Sequence, residues 1–319
     1  MKQYRVVVLG KIRDYYSYFN YGVLEGAIRN GAWAKTVELD NRKINELKAE
    51  IQWFKPHFIV CHCIFGPLKQ DVLDMLKGFR HRLGTKVIYH MGDARTTPRY
   101  PKTIGDFVDL ALVNNDIRPQ FEKFWKIPTI HWPYMCFYQK DIADFDKSYA
   151  CNMAFTGGLD DSSHHTERKK FVKKLSSIGI KTFPTKETGN TRFQTAELSS
   201  TAGSVLGVQM GQNIKGYQDV RPFQYIGAGA LYFHDYHHSM DVFFEDKKHY
   251  IGYKTNNATD LIAKYNKCMG DTEKSNKIRR DGFEFCQKHH STKQRVESII
   301  RYFEGKEQLP LYRKDIDYG

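Results

Sequence analysis

The residues with the clearest chemical promise in this 319-residue chain are glycines and arginines placed next to strand ends and helix starts. Thr156-Gly157-Gly158-Leu159 follows a strand-like run and precedes a helix that begins near Ser163 to Thr166. Glycines there let the backbone approach a ligand closely. The free N–H groups and dipole of a helix start favour phosphate. Arg168, on the first turn, can bracket a diphosphate with its guanidinium; an ordinary tight turn would use the same two glycines. In the first half, Lys86-Val87-Ile88-Tyr89-His90-Met91-Gly92-Asp93-Ala94-Arg95 places Asp93 just past a strand end. A carboxylate in that place can take a proton from a hydroxyl, or it can simply pair with Arg95 or cap a turn. Gly10, Lys11, Arg13, Arg99 and Tyr100 are further candidates for the same edge. Arg13 interleaves with Tyr15, Tyr16, Tyr18 and Tyr21, a composition that suits phosphate contacts and base stacking and equally suits a surface loop leading into a partly buried helix.

Positioning these residues requires strands and helices in alternation. Strands are predicted at Val6–Leu9, Thr36–Leu39, Phe58–Cys61, Lys86–His90 and Leu110–Val113, with helices near 18–30, 44–54, 71–79 and 119–125 between or after them. Residues 136–150, following His131-Trp132-Pro133-Tyr134, read as a linker. A second alternation follows: strands at Met153–Thr156, Val205–Val208, Ala230–Phe233 and Tyr250–Tyr253, helices near 166–178, 222–228 and 257–269, and helical periodicity from about 275 to 303. Short apolar strands alternating with helices mean βαβ units and parallel sheets. The expected fold class is α/β, two Rossmann-like doubly wound domains facing across a cleft: an N-terminal domain at 1–135, a linker at 136–150, a C-terminal domain at 151–300 and a tail at 301–319. Ligands of such sheets bind beyond the carboxyl ends of the strands.

Composition narrows the class. Lys and Arg number 49 against 36 Asp and Glu, a net charge of +13 that favours polyanionic partners. The excess is split between the halves, +7 over residues 1–150 and +6 over 151–319, so no single basic patch is implied. No apolar run approaches the roughly 20 residues of a membrane span, and the start, Met1-Lys2-Gln3-Tyr4, leads directly into a strand without a signal segment. A cytoplasmic monomer is expected, in the host cytoplasm if the source is viral. Of the six cysteines only Cys61-His62-Cys63 has a metal-like spacing, but on a strand His62 faces away from both thiols. His164-His165, His237-His238 and His289-His290 lack an accompanying carboxylate spacing and read as solvated. No metal site and no required cofactor are expected.

The segment Gln218-Asp219-Val220-Arg221-Pro222-Phe223-Gln224-Tyr225-Ile226-Gly227-Ala228-Gly229-Ala230-Leu231 resembles the donor signature of glycosyltransferases with two Rossmann-like domains, the GT-B type, in which Arg-x-Phe-Glu-x-x-x-x-Gly opens a short helix ahead of a strand. The resemblance implies that Arg221 neutralises a diphosphate, that position 224 faces the ribose hydroxyls, and that Gly227 and Gly229 keep the turn tight for the nucleotide. Gln224 stands where the family has an acid; an amide accepts through one oxygen only, so the donor's identity is loosened. Bacterial spore-maturation-type (CgeB-like) enzymes match this half. The stretch Ile88-Tyr89 through Asp93, Arg95 and Pro98 resembles the DNA β-glucosyltransferases of T-even phages, which implies that Asp93 is a general base. Their Gly-Gly loop and phosphate-binding arginine match Gly157, Gly158 and Arg168.

Together these residues imply an inverting transfer from a nucleotide-diphosphate sugar, a UDP-sugar by expectation. Asp93 acts as base, Gly157, Gly158, Arg168, Arg221, Gln224 and Gly229 bind the donor, and Arg13, Arg95 and Arg99 bind an anionic acceptor. The leading acceptor is a hydroxymethylated base in phage-type DNA. Competing readings are a protein, lipid or surface-glycan acceptor, a nucleotide-sugar epimerase, and a non-enzymatic DNA- or nucleotide-binding module.

Overall fold

The computed structural model describes residues 3–10, 18–39, 43–62, 69–91, 105–114, 118–159, 163–183, 192–209, 218–236 and 238–306. Among these, eleven strands form two sheets, and every strand pairing within them is parallel. The chain divides into two compact units.

The first unit begins β1 (Arg5–Leu9), α1 (Tyr18–Arg29), β2 (Trp33–Val37), α2 (Ile44–Phe54), β3 (Phe58–His62), α3 (Gln70–Leu83), β4 (Lys86–Met91), β5 (Leu110–Val113), α4 (Arg118–Trp125) and β6 (Thr129–His131). Its sheet order is β2-β1-β3-β4-β5-β6. Val6 to Leu9 are all buried, as a strand covered on both faces requires. In α3, Val72, Leu73, Leu76 and Phe79 recur at helical spacing and join the core around Val7, Ile59, Val87 and Ala111.

The second unit holds β7 (Met153–Thr156), α5 (Ser163–Lys173), β8 (Ile180–Phe183), α6 (Arg192–Thr201), β9 (Val205–Gly207), α7 (Val220–Ile226), β10 (Tyr232–Asp235), α8 (His238–Phe243), β11 (Ile251–Tyr253), α9 (Ala258–Met269) and α10 (Thr272–His289). The order is β11-β10-β9-β7-β8. Its core joins Met153, Phe155, Phe171, Leu206, Phe233 and Tyr253.

A last helix, α11 (Thr292–Phe303), groups with the first unit. Its start packs on α1 so closely that a Cβ on Gly26 would lie 2.2 Å from the Thr292 carbonyl. The Thr292 hydroxyl donates to Glu25 at 2.7 Å, and Arg295, 1% exposed, stacks over Trp132. Residues 292–300 therefore belong to the first unit, where the sequence expectation had placed them in the second domain, and α11 takes in the first residues of the expected tail.

Other boundaries also differ from expectation. The strand expected at Thr36–Leu39 runs from Trp33 to Val37, because the Trp33 N–H bonds to the Tyr4 carbonyl and sets the edge pairing earlier. The strand expected at Ala230 begins at Tyr232, since the turn extends to a bond from Ala230 N to Tyr225 O. Elements β6, β8, α6 and α8 were not anticipated. The expected linker begins as buried chain: Cys136 and Phe137 are both under 8% exposed.

Candidate functional site

In the second sheet the strand order reverses between β7 and β9, so the carboxyl ends of those two strands mark the place where such a sheet takes a ligand. Thr156 ends β7 and shares a hydrogen bond of 2.6 Å with the Tyr225 hydroxyl. Gly157 follows at φ +155°, and a Cβ there would lie 3.0 Å from the Phe155 ring and 3.3 Å from Arg221 Nη1, so the arginine runs beside the chain at the glycine. Arg168, on α5, donates through Nη1 to the Gly158 carbonyl at 3.5 Å. The Tyr253 hydroxyl donates to the Gly207 carbonyl at 2.9 Å, and burial raises it well above its ordinary value. The sequence-predicted Gly157, Gly158, Arg168 and Arg221 thus converge at the switch point.

Asp219, missed by sequence reasoning, organises this edge. It caps α7 by accepting from Arg221 N at 3.0 Å, and it receives Arg221 Nε at 2.9 Å and Nη2 as well. Burial alone would raise the Asp219 carboxyl; the Arg221 guanidinium, His234 and the hydrogen bonds from Arg221 outweigh it and hold the group below the usual carboxylate range. Burial, helped by Asp219, raises the Tyr232 hydroxyl well above its ordinary value, so it stays protonated. Gln209, just beyond β9, receives Gln218 Nε2 on its Oε1 at 3.0 Å and donates its backbone N–H to Asp235 at 2.9 Å. The signal for Asp219 was present in the sequence: an aspartate two residues before an arginine at a helix start is a cap.

Gln224 is 2% exposed, and neither its Nε2 nor its Oε1 has a hydrogen-bond partner among the described residues. A buried amide left this way costs free energy unless a ligand completes it. Gly227 and Gly229 are spent on packing instead. A Cβ on Gly227 would lie 2.4 Å from the Cys136 Cβ, and one on Gly229, at φ +87°, would lie 2.7 Å from Ile142. Gly229 also receives Arg279 Nε on its carbonyl. Gly229, expected to bind donor, lies against the chain that precedes β7.

In the first unit the order reverses between β1 and β3. Arg13, Asp93, Arg95 and Arg99 lie outside the described residues. The described edge holds a feature that the sequence did not reveal. His62, the last residue of β3, is paired in register with His90 of β4, and their Nδ1 atoms are 2.7 Å apart. Phe19 stacks on both rings, at 3.9 Å from His90 and 4.6 Å from His62. Burial pushes His62 down to about 3 and His90 well below its ordinary value. Cys61 lies in the core on the other face, as its alternation with His62 predicted. His290, expected to be solvated, is 2% exposed among Phe223, Phe243, Phe244 and Phe285. Among the described residues no group of three His, Cys, Asp or Glu is placed to hold a metal, and no helix is long and apolar enough to cross a membrane.

Residues 182–301 match the family model described as glycosyl transferase-like. That span contains Arg221 and Gln224 but not Gly157 or Arg168. No curated protein matches the sequence. Among solved structures, the chain is similar to a glycosyltransferase from Rickettsia africae (TM-score 0.61, 7% identity, 96% of this chain and 99% of that one). It is also similar to Anabaena HepE in complex with UDP-glucose (TM-score 0.58, 10% identity, 95% and 100%). A third is the sucrose-phosphate synthase of Thermosynechococcus elongatus (TM-score 0.57, 9% identity, 95% and 99%). The chain therefore has the two-sheet α/β architecture of the GT-B glycosyltransferases and carries a glycosyl transferase-like segment over residues 182–301.

Proposed function

We propose that this chain is an inverting glycosyltransferase whose second unit binds a nucleotide-diphosphate sugar, with UDP as the nucleotide. The observation that carries the reading is the convergence of Gly157, Arg168 and Arg221 at the β7–β9 switch point. Two guanidiniums there suit the charge of a diphosphate, and the glycine gives it room beside the backbone. Because α7 is only seven residues long, side-chain charge rather than a helix dipole does most of this. The reading needs no divalent metal for the diphosphate. The unpartnered amide of Gln224 is assigned to the nucleoside hydroxyls. Anabaena HepE, with a similar fold, has been seen in complex with UDP-glucose, which supports the choice of UDP. Calorimetric titration of the chain with UDP, with and without EDTA, tests this. Saturable binding indifferent to EDTA is expected, and a flat titration overturns the donor assignment.

The acceptor we propose is a hydroxymethylated base in duplex DNA. Support comes from the +13 net charge and from the likeness of the stretch around Asp93 to DNA β-glucosyltransferases. Asp93 is assigned as the base and Arg13, Arg95 and Arg99 as phosphate contacts. The chain is incubated with UDP-glucose and either hydroxymethylated or unmodified duplex, and the nucleosides are then weighed. A hexose mass on the hydroxymethylated base is expected, lost in Asp93→Asn. Absence of any modified nucleoside, or DNA affinity that does not fall steeply with salt, overturns the DNA acceptor and leaves the donor assignment standing.

A further inference from the structure

The His62–His90 pair sits at the carboxyl edge of the first sheet, next to the β1–β3 reversal, and the donor site does not use it. Two Nδ1 atoms 2.7 Å apart can bond only if one carries the hydrogen and the other the lone pair. The ring that donates is then the Nδ1–H tautomer, with a lone pair at Nε2. Its partner is the Nε2–H tautomer. The pair as a whole therefore has a proton-accepting nitrogen at one outer end and a proton-donating nitrogen at the other. Both Nε2 atoms are buried, and neither has a hydrogen-bond partner among the described residues. Phe19, parallel to His90 within 5°, and Tyr134, edge-on to His90 at 5.8 Å, fix the rings. Each orphaned buried nitrogen carries a desolvation cost that an apolar side chain of similar shape would avoid. Packing therefore does not account for two histidines here, whereas handling a proton does.

We propose that His62 and His90 form a proton relay for a hydroxyl-bearing acceptor bound at the carboxyl edge of the first sheet. This rests on the glycosyl-transfer reading. When the acceptor oxygen attacks the anomeric carbon, the new C–O bond forms and the bond to the diphosphate breaks, its electron pair leaving with the nucleotide. The hydroxyl proton passes to the lone pair at Nε2 of the first ring. The Nδ1 proton of that ring moves to Nδ1 of the second, and the second ring releases its Nε2 proton to water. Each imidazole is neutral before and after, so the relay holds no lasting charge in an apolar place, in keeping with burial that disfavours the imidazolium in both rings.

The full chain carrying His62→Asn or His90→Asn tests the relay. Asparagine keeps a polar atom near the Nδ1 position and has nothing at Nε2. Two measurements are made on wild type and variants: UDP affinity by calorimetry, and UDP release from UDP-glucose with water as the acceptor. A third, on the wild type, is the nitrogen NMR spectrum of histidine-labelled protein at neutral pH. The relay predicts opposite tautomers for the two rings, unchanged UDP affinity in the variants, and release slowed at least tenfold, within the usual reach of proton-transfer catalysis. Release within twofold of wild type overturns it, and so do two rings in the same tautomer. A wild type that binds no UDP overturns the donor assignment instead, while the tautomers still decide the relay.

Discussion

Asp219 holds Arg221 at two points, its Oδ1 accepting from the arginine's backbone N–H at 3.0 Å and its Oδ2 from Nε at 2.9 Å. The cation proposed to meet a diphosphate is thus already paired with an anion of its own chain. The pairing fixes the guanidinium beside Gly157 and lowers the positive charge that a ligand would meet.

Replacing Asp219 with Asn keeps a capping oxygen and removes the competing charge. UDP affinity is expected to rise on the order of three- to tenfold at low salt, about the worth of one hydrogen-bonded ion pair, and calorimetry reads it directly. Stability should move the other way. The Asp219 carboxyl titrates below the ordinary carboxylate value in the folded chain. Its contribution is therefore complete above about pH 4, the unfolded value, and is lost as pH falls through the folded value. Urea midpoints of wild type and Asp219→Asn should differ at pH 7 and converge below pH 4; a difference that persists in acid removes the ion pair as its source.

Truncating either arginine tests the convergence. Arg221→Ala and Arg168→Ala should each weaken UDP by roughly 10- to 150-fold, the effect of about 1.5–3 kcal/mol from a charge-assisted hydrogen bond. Arg221→Lys should not restore it, because a lysine cannot satisfy Asp219 and a phosphate with one planar fork. If Arg168→Ala binds UDP as wild type does, the second guanidinium is not part of the site.

The sequence made the architecture legible where residues repeat with a period. Uninterrupted apolar runs such as Val6–Leu9 and Met153–Phe155 identify strands buried on both faces, the order of Gly157, Gly158 and Arg168 points to a phosphate site at a strand end, and the likeness of the Arg221 segment to a donor signature points to the same ligand. What it hid depends on chain pairs distant in sequence. His62 and His90 are 28 residues apart and meet only because β3 and β4 are neighbours in register. The packing of Gly227 and Gly229 against Cys136 and Ile142 was hidden because those neighbours belong to a stretch that reads as linker. Helix α11 read as a continuation of α10, since nothing local reports that Thr292 lies against Gly26.

Gln224 separates a ligand-facing amide from a merely tolerated one. Its two polar atoms are buried without a partner among the described residues, so Gln224→Leu, of similar volume, should be neutral or stabilising by up to about 1 kcal/mol in the absence of nucleotide. The same variant should bind UDP at least tenfold more weakly. Melting temperature with and without UDP distinguishes the two effects. A Gln224→Leu chain that melts lower than wild type and binds UDP equally well would show that the amide is held by the protein.

The placement of α11 gives the last prediction. A Cβ at Gly26 would come within 2.2 Å of the Thr292 carbonyl and 2.6 Å of a Val296 methyl carbon. The first of these is main chain at the start of a helix and cannot swing aside. Gly26→Ala must therefore push α11 off α1, straining the Glu25–Thr292 bond and the stacking of buried Arg295 on Trp132. A cost of about 1–3 kcal/mol is expected from such overpacking, against a gain of up to about 1 kcal/mol that alanine gives an unstrained helix. The loss should fall on the first unit. In urea, tryptophan fluorescence should shift to a lower midpoint, since all four tryptophans, Trp33, Trp53, Trp125 and Trp132, lie within residues 1–134. UDP affinity should stay at the wild-type value, because the donor residues belong to the second unit. An unchanged fluorescence midpoint would mean that α11 is not fastened to α1 in solution.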